Sequence, residues 1–94
     1  MSTRQEVYEA IDSERDYQNK WDNLREANPD LDSYKDKDKP LETWILWMED
    51  YLHKARTCTT ASLNKQTGLH HIRKVVALGV AAMEYHGAIN REIK

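Results

Sequence analysis

Four groups of residues in this chain are of types that do chemistry, and their spacing decides what each can do. Glu42, Glu49 and Asp50 lie in one stretch and Glu84 in another. Carboxylates spaced three or four apart on two facing helices hold Mg²⁺ against a substrate phosphate. Here Gly87 stands three residues after Glu84, where a further acid is needed, so the set is incomplete and neither a catalytic group nor a metal site is expected. His70 and His71 are adjacent; on a helix they point about 100° apart and do not easily share one metal. Arg73 and Lys74 follow at once, just ahead of an apolar run, where a charged head is partly desolvated unless an anion meets it. Two partners fit Arg73: a ligand phosphate, or the carboxylate of Glu14.

The fourth group is aromatic. Trp21, Trp44, Trp47, Tyr8, Tyr17, Tyr34, Tyr51 and Tyr85 include no Phe, so every ring carries a polar tip. Tyr17 and Trp21 share a helical face with Glu14 and Gln18, with Arg15 and Lys20 flanking it. Planes for stacking, a carboxylate or amide that reads a base edge, and cations for phosphate are the parts of a nucleotide pocket. Taken one at a time the same residues also suit structural roles, and core packing accounts readily for Trp44.

Helices must position these groups. Thr3 and Glu6 make a capping box, which predicts a helix from Arg4 to about Ala27, where Asn28-Pro29 stops it. Its inward stripe reads Val7, Ala10, Ile11, Glu14, Tyr17, Gln18, Trp21 and Leu24, so Glu14 and Gln18 need polar partners; burying either alone costs on the order of 1–3 kcal/mol. Residues 28–39 are polar, with alternating charge from Lys35 to Lys39, and read as a solvated loop. Pro40 suits a first helical turn, and Leu41, Trp44, Ile45, Met48, Tyr51, Leu52 and Ala55 recur at three and four residues, giving a helix over about 40–56. Leu46 and Trp47 project off that stripe and call for a second partner face. The short, β-branched run Thr57 to Thr60 reads as a turn between antiparallel helices. A third helix follows over about 61–86, starting between Ala61 and Leu69, with Gly87 as its C-terminal cap. Its middle, Val75 to Met83, is apolar all round, which predicts burial on every face. Gly79, Ala81 and Ala82 allow close approach of another backbone, in a tight hairpin or at a subunit contact.

Ninety-four residues make one domain, 1–94, with little surface to bury. A lone cysteine, Cys58, forms no internal disulfide, which leaves association as the route to stability. The opening Met1 to Glu6 lacks an apolar signal core, and the longest apolar run is far short of a membrane span, so a soluble cytosolic protein is expected. Residues 1–50 carry seven Lys/Arg against fourteen Asp/Glu, whereas 51–94 carry seven against two and hold all four histidines. Acidic and basic helices that neutralise one another, or an anion pocket in the basic half, both fit this asymmetry. Duplex nucleic acid is disfavoured, because the acidic half repels its backbone.

The segments Val7-Tyr8-Glu9-Ala10-Ile11-Asp12-Ser13-Glu14-Arg15-Asp16-Tyr17-Gln18 and Leu69-His70-His71-Ile72-Arg73-Lys74-Val75, continuing through Gly79 to Gly87, resemble a widespread group of small phage-encoded helical proteins. That group is similar in size and helical layout to the phage anti-CBASS and anti-Thoeris sponges, which bind cyclic nucleotide immune signals without cutting them and assemble as homo-oligomers. Helix order and the Glu49-Asp50 pair also resemble the MazG-like pyrophosphohydrolases, whose paired acids on both helices are missing here. The pattern predicts an all-α, three-helix protein with a central antiparallel helical hairpin, whose apolar faces call for a homotetramer or another closed homo-oligomer; the resemblance implies the bacterial host cytosol as its setting. It would be a non-enzymatic sponge, without cofactor, metal, membrane or duplex nucleic acid. Its partner would be a cyclic di- or trinucleotide, or an ADP-ribose-type signal, held between subunits. By chemistry and position, Tyr17, Gln18 and Trp21 would form the base-facing wall with Glu14 beside them. Arg15, Lys20, Arg73 and Lys74 would lie near phosphate, and His71 and His86 near ribose or phosphate. A nucleotide pyrophosphohydrolase, and a helical phage adaptor that binds only protein, are the alternatives.

Overall fold

In a computed structural model, which describes residues 1–27, 36–61 and 65–92, the protein is all-α. Three helices, α1 (Arg4–Ala27), α2 (Leu41–Ala61) and α3 (Lys65–His86), are joined by a one-turn 3₁₀ helix at Asp36–Asp38 ahead of α2. Among the described residues no helix is long and apolar enough to cross a membrane.

Each helix end has a local cause. The Thr3 hydroxyl accepts the Glu6 amide at 3.2 Å and the Glu6 carboxylate accepts the Thr3 amide at 3.4 Å, so the capping box satisfies two donors that the first turn of α1 leaves free. At the far end of α3, Gly87 takes φ 124° and its amide returns to the Met83 carbonyl at 2.9 Å. A side chain there would be strained, which is why glycine closes this helix. Pro40 stands just before α2 rather than in its first turn, and its carbonyl accepts the Thr43 amide at 3.0 Å.

Two expected boundaries are corrected. The run Thr57–Thr60 is not a turn: α2 continues through it to Ala61. Thr57 donates its hydroxyl to the His53 carbonyl four residues back, at 3.0 Å, so its polar group is satisfied without leaving the helix. The solvated loop expected over 28–39 ends earlier, because Asp36 to Asp38 form a helical turn with Asp36 buried; residues 28–35 lie outside the described residues. Two bonds explain the burial of Asp36. Its amide donates to the Asp22 carboxylate of α1 at 3.2 Å, and its own carboxylate pairs with Lys39 at 3.3 Å.

α3 is the central element, packed against both α1 and α2, with most of the packing between α2 and α3. The core is small. Trp44 is 2% exposed and lies among Leu78, Ala81 and Ala82, with Trp47, Met48, Tyr51 and Tyr85 packed around them. Trp44 stacks on Tyr85 with centroids 5.7 Å apart and meets Trp47 edge-on at 5.1 Å. Tyr51, two turns along α2, faces His71 at 6.2 Å. Ala81 and Ala82 serve this contact within the chain, because small side chains leave room for the indole.

Burial of α3 on every face does not hold within one chain: Ala77, Leu78, Ala81 and Ala82 are buried, while Leu69, Ile72, Val76 and Met83 stay exposed. The stripe expected to face inward from α1 is also largely uncovered. Val7, Tyr17, Trp21 and Leu24 are exposed, and so are Leu41, Ile45 and Leu52 of α2. This apolar surface is the clearest departure from a finished core.

Candidate functional site

The joint between α1 and α3 is polar and depends on two neighbouring residues. Glu14, 7% exposed, accepts a hydrogen bond from Arg73 Nε at 2.9 Å. Arg15, 5% exposed, donates through Nη2 to Glu84 Oε2 at 2.7 Å and through Nε to Oε1 at 3.3 Å. The remaining Arg15 donors reach Gln18 at 3.0 Å and Asn19 at 3.1 Å. Arg73 and Glu84 lie eleven residues apart on α3, so α1 crosses between them, and the fully buried Ala77 and Ala81 lie in the stretch the two pairs span. Burial pulls the Arg15 guanidinium down, but the hydrogen bond and charge of Glu84 outweigh it, and its pKa ends above the ordinary value. Next to it, burial pushes the Tyr85 phenol up; the charge of Asp22 adds to this, and Arg15 opposes it.

Beyond this joint α1 and α2 diverge and leave a cleft of about 510 Å³, open to solvent on one side. α1 supplies Glu14, Tyr17, Gln18 and Trp21; α2 supplies Trp44, Trp47, Asp50 and Tyr51; α3 supplies Lys74 and Leu78 at the back; Asp36 closes one end. Tyr17 and Trp21 meet edge to face at 6.3 Å, and each keeps about half its surface exposed. Every carboxylate of the lining has its own cation: Glu14 has Arg73, Asp36 has Lys39 at 3.3 Å, and Asp50 has Lys54 at 3.3 Å. Lys74 sits over the Tyr51 ring at 5.4 Å and has no carboxylate partner among the described residues. Lys39 and Lys54 likewise lie over Trp47 and Tyr51, at 5.0 and 4.7 Å. The cleft is therefore aromatic-walled, internally neutralised and left with one spare positive charge.

Five of the ten residues proposed for the ligand site meet here: Glu14, Tyr17, Gln18, Trp21 and Lys74. Glu14 and Gln18 have the polar partners their position demanded, Arg73 and Arg15 respectively. Of the two partners open to Arg73, the structure pairs it with Glu14, so a phosphate role for Arg73 requires sharing. Arg15, expected to flank the aromatic face, is buried against Glu84 and reaches that face through its bond to Gln18. Lys20 lies on a separate shallow surface with Asp16, Asn19, Asn23 and Leu24. His86 donates Nε2–H to the Lys39 carbonyl at 3.0 Å, which ties the end of α3 to the entry of α2. His71 lies behind Tyr51, its Nδ1 buried without a partner among the described residues. His70 accepts at Nδ1 from Arg73 at 2.7 Å.

Sequence reasoning missed Asp36, Trp44, Trp47, Asp50, Tyr51 and Leu78 as lining residues. Trp44 and Tyr51 belong to the apolar stripe of α2, and Trp47 and Asp50, three apart, lie on the face beside it, so the signal was there once α2 was given two faces. Glu84, considered above as a metal ligand, is committed to Arg15. Comparison of the chain with protein-family models, with curated proteins and with solved structures returned no match.

Proposed function

We propose that this chain is a sponge for a nucleotide signal: it binds the ligand in the aromatic cleft, holds it and releases it unchanged. The observation that supports this best is the charge balance of the cleft, in which each carboxylate is already paired and Lys74 is left to meet a phosphate. Trp21 and Tyr17 on one wall, with Trp47 and Tyr51 on the other, offer planes to a base; such stacking contributes about 1–3 kcal/mol per base. Gln18 has an amide that reads a base edge. The resemblance set out above favours a cyclic di- or trinucleotide, with an ADP-ribose-type signal as the related choice, and a phage protein acting in the bacterial host cytosol. In this reading α2 and α3 form an antiparallel hairpin, and the chain works as a homotetramer or another closed homo-oligomer whose neighbouring subunits cover the open side of the cleft. Among the remaining residues proposed above, Arg73 contributes to phosphate from its place beside Glu14, and His71 from behind Tyr51.

The test is incubation with a panel of cyclic di- and trinucleotides and ADP-ribose derivatives, followed by heating to unfold the protein and chromatography of the released ligand. One nucleotide should be depleted from solution and return intact. Hydrolysis products would place the chain with the pyrophosphohydrolases instead, and depletion of none would leave an adaptor for protein.

Two substitutions locate the ligand. Lys74→Met keeps the aliphatic stem over Tyr51 and removes the charge. Loss of one charge-assisted hydrogen bond, about 1.5–3 kcal/mol, should raise Kd roughly 10- to 100-fold in calorimetric titration. Trp21→Ala should weaken binding by a similar factor with helicity unchanged, since its ring is half exposed in the free protein. Unaltered affinity in both variants would remove the cleft from consideration.

A further inference from the structure

The exposed apolar residues of α3 are not scattered. Leu69, Ile72, Val76 and Met83 fall within an arc of roughly 60° on the helix, opposite the face that holds Ala81 and Leu78, with the partly buried Gly79 and Val80 at its two edges. Gly79 lies at one edge of this stripe, at a level between Val76 and Met83, and a methyl group added there would meet nothing within 4 Å. A mid-helix glycine costs about 1 kcal/mol relative to alanine, and the packing within the chain gives no reason for one. We infer that this stripe is a self-complementary interface, occupied by α3 of a second copy running antiparallel across it. The inference rests on the self-association proposed above, and not on the identity of the nucleotide.

Register and area both favour a second copy as the occupant. With a two-fold axis at the level between Ala77 and Leu78, Ile72 comes opposite the partner's Met83, and Val76 comes opposite the partner's Gly79. The branched side chain of each helix then fills the notch left by the glycine of the other, twice per interface, which is the reciprocity an isologous contact requires. The area needed is also available. The chain exposes 7646 Å², whereas a compact chain of 11.1 kDa exposes roughly 5,700 Å². The excess of about 2,000 Å² per subunit lies within the roughly 1,000–2,500 Å² per partner that obligate homo-oligomers cover. The radius of gyration agrees: 15.0 Å here, against about 12 Å for a compact domain of this length. The faces of α1 and α2 that remain open leave room for further contacts in a closed assembly.

Gly79→Leu tests the notch. The subunit itself gains helix propensity and has space for the side chain, so circular dichroism should keep its helical signal, while the mass by light scattering should fall to half that of the wild type or less. A second variant reads the register. In a Cys58→Ser background, Ile72→Cys with Met83→Cys should give disulfide-linked dimers under mild oxidation. The two positions are about 16 Å apart along one helix and do not bond to each other within a chain. Either single cysteine should give little cross-linking. A wild-type oligomer whose mass Gly79→Leu leaves unchanged, with no cross-link from the double variant, would overturn the α3 interface and leave self-association standing. A monomeric wild type would remove both.

Discussion

Trp44→Ala should remove a large share of the protein's stability. Truncating a buried tryptophan costs about 3–5 kcal/mol, and domains of this size have 5–15 kcal/mol in total. Trp44 is the one large side chain among the described residues that is fully buried, and Tyr85, Trp47, Leu78, Ala81 and Ala82 all lose their neighbour with it. The alanines cannot close the cavity, since they carry a single methyl each. A fall in melting temperature of roughly 15–30 °C is expected, at about 4–8 °C per kcal/mol. Trp44→Phe should behave differently. The indole N–H has no partner among the described residues, and a buried donor without an acceptor costs about 1–3 kcal/mol. Removing it offsets much of the lost ring area, so thermal unfolding of Trp44→Phe should stay within a few degrees of the wild type. Equal losses for Phe and Ala would mean that the N–H bonds to something in solution.

The second large effect is at the α1–α3 joint. Arg73→Ala leaves the Glu14 carboxylate buried without its cation, and breaking such a pair from one side costs about 3–5 kcal/mol, with the lower end apt because Arg73 keeps some solvent contact. The Glu14→Leu, Arg73→Met double variant removes both charges and should recover most of that loss, since apolar replacements of similar volume often match a buried pair. A double-mutant cycle by urea denaturation reads the coupling directly. Additive losses, with no recovery in the double variant, would show that Arg73 and Glu14 do not depend on one another. The same joint sets one wall of the cleft, so Arg73→Ala should also weaken nucleotide binding. Lys74→Met should lower affinity at unchanged stability, and this contrast separates a ligand contact from a structural one.

What the sequence made legible follows from which interactions are local. The capping box at Thr3 and Glu6 and the glycine stop at Gly87 depend on neighbours within four residues, and both are present as expected. The demand of Glu14 and Gln18 for polar partners was equally clear, because a charge on an apolar stripe carries its own cost. The burial of Arg15 against Glu84 was not legible, because one step along a helix is 100° and nothing local says how α1 meets α3. Thr57 to Thr60 suggested a turn on propensity alone, a weak guide that the surrounding fold overrides, and α2 runs through it to Ala61. Tyr51 and Trp47 join the cleft through the divergence of α1 and α2, a property of the whole fold. Val76 and Met83 illustrate the last limit: the apolar run marks them for burial, yet they stay 40% and 50% exposed in the single chain.

That uncovered surface is the point on which self-association, the closed cleft and the α3 interface all depend. Light scattering coupled to size-exclusion chromatography, at micromolar concentration, measures it directly. A folded species at an even multiple of the 11.1 kDa chain mass is the predicted result. A well-folded particle of 11.1 kDa that keeps this mass on concentration would contradict it.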